Sequence, residues 1–275
     1  QRHYGLNITG IADAKTLDKM SEILSSPLQK GKRHPDTIKL KENLNRLGFG
    51  KIKETSYFGS FMEKKVKEFQ KRNNLPVSGI IDEITYDRIN NGVVRIFIDP
   101  GHGGHDPGAM AFGLNEKDVV LDIALQTAQS LLNNYYGVDV KLSRVTDTFI
   151  KLENRAKMAN DWGATYFISI HNNSFNGYAS GFETYIHNGN VSSFTKEKQN
   201  QIHNYLIRQL KVNDRGKKKA NFNVLRNTEM PAILVEYLFI DNRVENLKLA
   251  SSNYRKLLGT YTADALAKAF DLRNK

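Results

Sequence analysis

Val93-Val94-Arg95-Ile96-Phe97-Ile98-Asp99-Pro100-Gly101-His102-Gly103-Gly104 is the stretch on which the fold turns. Its first six residues are β-branched or aromatic apart from one arginine, which reads as a strand. A sharp glycine-rich turn carrying a histidine follows at once. The pattern then repeats downstream, with apolar runs at 138–142, 166–170, 182–186, 222–225 and 233–235 read as strands. Between them, helical spacing is found over 115–134, 152–162 and 195–210, and helices close the chain near Phe270. Within 115–134 the residues Val120, Ile123, Ala124, Thr127 and Leu131 form one stripe, and Asn115 with Asp118 suits a cap. Such alternation predicts an α/β domain, a mixed and mostly parallel sheet with helices on both faces. The segment 211–220 is basic and contains glycine, so it reads as a solvated loop. With one helix filling most of 187–221, that region offers no spare element to plug a site.

Upstream of Val93 the pattern is helical. Leu40, Leu44 and Leu47 fall at helical intervals before Gly48-Phe49-Gly50, and Met62, Val66 and Phe69 repeat the spacing. A short last helix carries Thr85, Tyr86 and Ile89, and the turn Asn90-Asn91-Gly92 marks the boundary to the strands. There is also an internal repeat. Gln1, Leu6, Gly10, Ile11, Asp13 and Thr16 recur in order as Gln70, Leu75, Gly79, Ile80, Asp82 and Thr85. The expected organisation is therefore three parts. Residues 1–27 are the C-terminal part of a first repeat whose beginning lies upstream, residues 28–91 are a complete helical module, and residues 93–275 are the α/β domain.

The chain has 275 residues, 40% of them hydrophobic and 25% charged, as in ordinary globular protein. No run of apolar residues is long enough to span a bilayer. The polar start is not a signal peptide. The absence of cysteine excludes disulfides, thiolate metal sites and cysteine nucleophiles. A net charge of +11 points to a polyanionic partner, although each lysine cluster by itself reads as a solvated face. Nucleic acid is not the expected partner, because no motif for it is present.

Chemistry is concentrated just after the strands. His102 follows the first, His171 (in His171-Asn172-Asn173) follows 166–170, and Glu236 follows 233–235. Sites in open parallel sheets form at the carboxyl ends of strands, so these groups are expected to converge. Glu116, at the start of the helix after the first strand, can join them. Two imidazoles, a carboxylate and an open fourth position make a catalytic zinc site, whose water ionises near neutrality. Glu236 is the candidate proton carrier. Plainer readings exist beside these. Glu116 is also a favourable acid in a helix's first turn, and Glu236 could be a buried ion-pair partner for Arg226. His105 reads as a loop or substrate-contact residue, His3, His34, His187 and His203 as structural, and Arg144 and Arg155 as hydrogen-bonding supports.

Several ordered blocks resemble the zinc N-acetylmuramoyl-L-alanine amidases, the amidase type 3 family. They are Asp99 through Gly104 as quoted above; Gly113-Leu114-Asn115-Glu116-Lys117; Ser143-Arg144 with Asp147; the helix 152–160 with Arg155 and Ala159; Ser169-Ile170-His171-Asn172-Asn173; and Val224-Leu225-Arg226 with Pro231-Ala232-Ile233-Leu234-Val235-Glu236. Together they span nearly all of 93–270. The resemblance implies that His102, Glu116 and His171 ligate Zn2+ and that Glu236 is the catalytic carboxylate. It further implies a secreted, wall-associated autolysin, acting as a monomer on peptidoglycan, with anionic wall polymers as further partners. The helical part resembles the peptidoglycan-binding module, through Leu44-Asn45-Arg46-Leu47-Gly48-Phe49, Val66-Lys67-Glu68-Phe69-Gln70 and Gly79-Ile80-Ile81-Asp82. One departure stands out. The family usually follows its catalytic Glu with one residue and Gly-Phe, whereas here the run is Glu236-Tyr237-Leu238-Phe239-Ile240-Asp241-Asn242. Competing readings are a wall binder with a degenerate enzyme domain and a zinc peptidase that cuts within the stem peptide. No ligand substitution favours the first.

Overall fold

Leu40 and Leu44 on α2 (Asp36–Arg46), Met62, Val66 and Phe69 on α3 (Ser60–Arg72) and Ile89 on α4 (Glu83–Asn91) close one small hydrophobic core. These are the apolar positions whose helical spacing the sequence displays, and each lies on the buried stripe of its helix. The computed structural model describes residues 1–275 and divides into two units, 1–93 and 94–275.

Within the first unit the repeat is physical. Gln70 Nε2 donates to Ser78 Oγ, the Ile80 carbonyl and Thr85 Oγ1, and its Oε1 accepts the Gly79 N–H. Gln1 makes the same four bonds, to Thr9 Oγ1, the Ile11 carbonyl, Thr16 Oγ1 and the Gly10 N–H. Asp82 caps α4 and Asp13 caps α1 (Ala14–Ser25) through the N–H groups of Thr85 and Thr16. The shared glutamine is what ties each turn to its helix. The two copies differ in packing, since α1 buries no residue while its counterpart α4 buries Ile89 completely.

The second unit is built on a six-stranded sheet. Its strands are β1 (Val94–Pro100), β5 (Val138–Leu142), β6 (Tyr166–Asn173), β7 (Phe182–His187), β8 (Asp214–Ala220) and β9 (Ala232–Phe239), in the order β5-β1-β6-β9-β7-β8. All neighbours are parallel except β7 with β9. Two small ribbons, β2 (Met110–Ala111) with β3 (Leu114–Asn115) and β4 (Tyr135–Tyr136) with β10 (Arg273–Asn274), stand outside it. Strand alternation sorts the side chains. Ile96, Ile98, Ile168, Ile170, Ile233 and Val235 face a core shared with α5 (Glu116–Asn134), α7 (Ser193–Leu210), α9 (Arg243–Ala250) and α10 (Ser252–Ala269). Phe97, Phe167 and Leu234 face the other way, toward α6 (Leu152–Trp162) and α8 (Asn223–Arg226). Continuing the second set by steps of two reaches Asp99, Ser169, His171 and Glu236, so the polar groups share the α6/α8 face.

Four expectations need correction. Residues 222–225 are not a strand. Phe222 caps the short helix α8, and an apolar run of that length has no period to tell helix from strand. Residues 211–220 are not a loop. From Asp214 they form the edge strand β8, where lysines are tolerated because one side faces solvent. His171 and Glu236 do not follow their strands but lie inside them, because β6 and β9 run on to Asn173 and Phe239. Asn115 makes no side-chain cap to the backbone of α5; its amide donates to Asp118 Oδ2 instead.

Candidate metal centre

Pro100 ends β1, and the chain reverses over Gly101-His102-Gly103. A Cβ on Gly101 would lie 2.2 Å from His171 Cε1, so only glycine lets the loop pass over that imidazole. His102 itself has φ 58°, a left-handed conformation that costs a non-glycine residue on the order of 1 kcal/mol or more. The surroundings enforce it. Arg155 is nearly fully buried, and its guanidinium donates to Asp99 Oδ1 (2.9 Å) and to the carbonyls of Pro100 (2.7 Å) and His102 (2.6 Å). Arg144 donates to the carbonyls of Pro100, Gly101, Thr146 and Lys117. These two arginines act as the supports the sequence suggests, each satisfying carbonyls that a tight turn leaves without strand partners.

The loop brings His102 to Glu116, the first residue of α5. His102 Nε2 lies 3.1 Å from Glu116 Oε2 and His171 Nδ1 lies 2.9 Å from Glu116 Oε1, and one ligand atom from each of the three falls within 4.8 Å of the others. Backbone N–H groups of Ala109 and Asn172 donate to the same carboxylate at 2.9 and 3.1 Å. Partial burial pushes the His102 imidazole down, but Glu116 and Asp106 outweigh this and its pKa is raised. Burial pushes Glu116 up, yet the two histidines prevail and hold it far below the usual carboxylate range. Three converging donors with opposed charge tendencies fit a divalent cation, which relieves the crowding of the carboxylate against two rings. A glycine again makes room, since a Cβ on Gly108 would sit 2.6 Å from His102 Cδ2 and 2.7 Å from Glu116 Oε2.

Asp106, which the sequence reading passed over, bonds His102 Nδ1 at 2.9 Å and fixes which ring nitrogen faces the centre. Its signal was an acid four residues after the histidine, on a loop with no periodicity to frame it. Glu236 stands on β9 opposite His171 of β6. Its Oε2 is buried and accepts no hydrogen bond. Burial first, then the charges of Glu116 and Glu183, push its pKa well above the usual value. Arg226 is not its partner, for that side chain donates to Asn221. A cleft of about 450 Å³ opens over His102, His171 and Glu236, walled by Phe149, Phe222 and Val224. His105 packs against Phe149 with its ring tilted, 4.1 Å between centroids. His203 is far from this centre in role, bonded to Thr184 and Asp214 under β7 and β8.

Leu238, the departure from the family pattern, has φ 62° and is fully buried, so the backbone keeps the left-handed turn that a glycine would take while the side chain fills the core. Asp241 accepts the N–H groups of Phe175 and Gly177, both at 2.9 Å, and so clamps the loop that leaves β6.

Comparison with known proteins gives the family. Residues 96–268 match the N-acetylmuramoyl-L-alanine amidase family, and residues 33–89 match a peptidoglycan binding domain. The sporulation-specific N-acetylmuramoyl-L-alanine amidase of Bacillus subtilis is 46% identical over 181 residues, covering 66% of this chain and 70% of that protein. The endolysin of Bacillus phage SPP1 is 40% identical over 184 residues, covering 66% and 67%. Among solved structures, an N-acetylmuramoyl-L-alanine amidase from Clostridium difficile 630 superposes with a TM-score of 0.63 at 34% identity, over 66% of this chain and 98% of that one. The catalytic domain of CwlV from Bacillus (Paenibacillus) polymyxa does so with 0.62 at 33%, over 66% and 100%.

Proposed function

Because the chain belongs to the N-acetylmuramoyl-L-alanine amidase family and cleaves the amide between N-acetylmuramic acid and L-alanine in peptidoglycan, we propose that it works through a zinc ion held by His102, Glu116 and His171, with Glu236 as the proton carrier. The observation that carries this reading is the contrast between two neighbouring carboxylates, Glu116 with donors on both oxygens and Glu236 with a buried, unpartnered oxygen. A zinc ion bound there lowers the pKa of water to about 7 and polarises the carbonyl under attack. Glu236 takes the proton from the attacking water and returns it to the leaving nitrogen, work that suits a carboxylate whose proton affinity burial and the charges of Glu116 and Glu183 have raised. Asp106 holds the His102 ring, and the walls of the cleft exclude bulk water from the reacting amide. The helical module, residues 28–91, supplies affinity for the wall and no catalytic group. Residues 1–27 extend it as the closing part of a further repeat. The net charge of +11 suits the anionic polymers of the wall, and the reading we propose is of a secreted, monomeric autolysin acting there. No helix is long and apolar enough to cross a membrane.

Chelation tests the reading. Dialysis against a strong chelator is expected to abolish release of L-alanine amino termini from cell wall, and zinc to restore it with one ion per chain by elemental analysis. Full turnover by metal-free protein would overturn the mechanism.

A further inference from the structure

The same sheet face carries a second charged cluster, on the far side of Glu236 from the metal ligands, that amide hydrolysis does not use. Glu183 of β7 lies opposite Glu236 of β9 and is 2% exposed. Its Oε1 accepts from Asn173 Nδ2 (2.7 Å) and the Tyr185 hydroxyl (2.6 Å), and its Oε2 accepts from Arg215 Nε (2.8 Å) and Lys218 Nζ (2.5 Å). One cation would neutralise this carboxylate; two are present, so a positive charge is left over. Arg215 spends only its Nε–H on Glu183. Its two terminal nitrogens donate to nothing, and the guanidinium lies over the Phe239 ring at 4.8 Å, half exposed.

Lysine and arginine on an edge strand ordinarily keep other chains from pairing with it. That reading expects the side chains to point away into solvent, and these two do not. Residues 215 and 218 would face opposite sides of a regular strand. The register between β7 and β8 shifts between Phe182 and Thr184, and Gly216 takes φ 88°, which turns both cations onto the Glu183 face. The irregularity of the edge strand therefore aims charge along the row that runs from the metal ligands through Glu236.

We propose that Arg215, assisted by Lys218, is a carboxylate-binding subsite for the stem peptide, with the free end of the guanidinium taking a peptide carboxylate through two parallel hydrogen bonds. Glu183 is a positioning residue that fixes the fork. β8 lies two strands from β9, roughly 10 Å at ordinary strand spacing, which is the reach of about three extended residues. The carboxylate recognised thus belongs to the second or third residue beyond the scissile amide. This inference rests on the amidase reading.

The test uses the full chain with zinc and two synthetic muramyl tripeptides, alike except that the peptide carboxylates are free in one and amidated in the other. KM and kcat are measured for each. The native chain is expected to favour the free acid by about tenfold, in KM. Arg215→Lys keeps a charge for Glu183 but loses the fork, and is expected to reduce that preference several-fold with its melting temperature nearly unchanged. Arg215→Gln is expected to abolish it. Equal KM values for the two substrates in the native chain, or an undiminished preference in Arg215→Lys, would overturn the subsite. Release of L-alanine amines from the amidated substrate by the native chain reports separately that the amidase reading stands.

Discussion

Glu116 and Glu236 are two glutamates near one centre with opposite surroundings, and the proposed division of roles between them rests on that difference. Glu116 collects two imidazoles and two backbone N–H groups, whereas Glu236 lines the cleft and keeps a buried oxygen that nothing satisfies. Glu236→Gln is accordingly expected to retain the bound metal while turnover falls roughly 10²–10⁴-fold, the usual worth of proton transfer. Loss of metal from this variant, measured by elemental analysis, would make Glu236 a ligand instead. Glu236 was legible from its place after an apolar run and Glu116 only from its place in an ordered motif, while the surroundings that set them apart come from partners far apart in sequence. His203 shows the reverse case, a histidine the sequence left as structural. Burial lowers its pKa below the ordinary 6.5, and the bond to Asp214 opposes this without offsetting it. The folded state therefore holds His203 neutral where the unfolded chain would protonate it. Its contribution is present above pH 6.5 and is lost as pH falls through the folded value. Melting temperature is expected to drop as pH falls below about 6.5, and less so in His203→Gln.

Among the elements, the loop after β1 depends most on residue identity. Two buried arginines hold its carbonyls, and glycine at 101 gives the His171 ring its space. Gly101→Ala should force loop and ring apart, weakening metal binding on the order of tenfold or more. Isothermal titration with zinc checks this, and an unchanged affinity would show that the loop yields freely. Strand β8 teaches a different lesson. Asp214-Arg215-Gly216-Lys217-Lys218-Lys219 has neither apolar alternation nor a turn signature of its own, and composition alone points to a loop. Pairing with β7 makes it a strand, because the N–H and C=O groups of β7 need partners whatever side chains β8 carries. Helix α8 errs in the opposite direction, since its apolar residues suggest a strand where packing against α6 and β9 requires a turn of helix.

For the whole molecule, the two units keep separate cores. Removal of residues 1–93 is expected to slow digestion of intact sacculi and to spare cleavage of small soluble muropeptides, as followed by amine release. Equal losses on both substrates would show that the helical unit helps build the catalytic centre. What the sequence by itself determined is whatever rests on local period and on short ordered motifs. The apolar spacing of α2, α3 and α5, the repeated glutamine turns, the strand-glycine-histidine run at 94–104 and the proposal of His102, Glu116, His171 and Glu236 as site residues all belong to that class. Only the tertiary structure decided which groups face one another across strands. Asp106 against His102, Arg155 under the loop, and the row from Glu236 through Glu183 to Arg215 are set by sheet order and by a register shift. The physical reason is that a strand's side-chain direction is written in its own alternation, while its neighbours and register are chosen by hydrogen bonding and packing over residues distant in the chain.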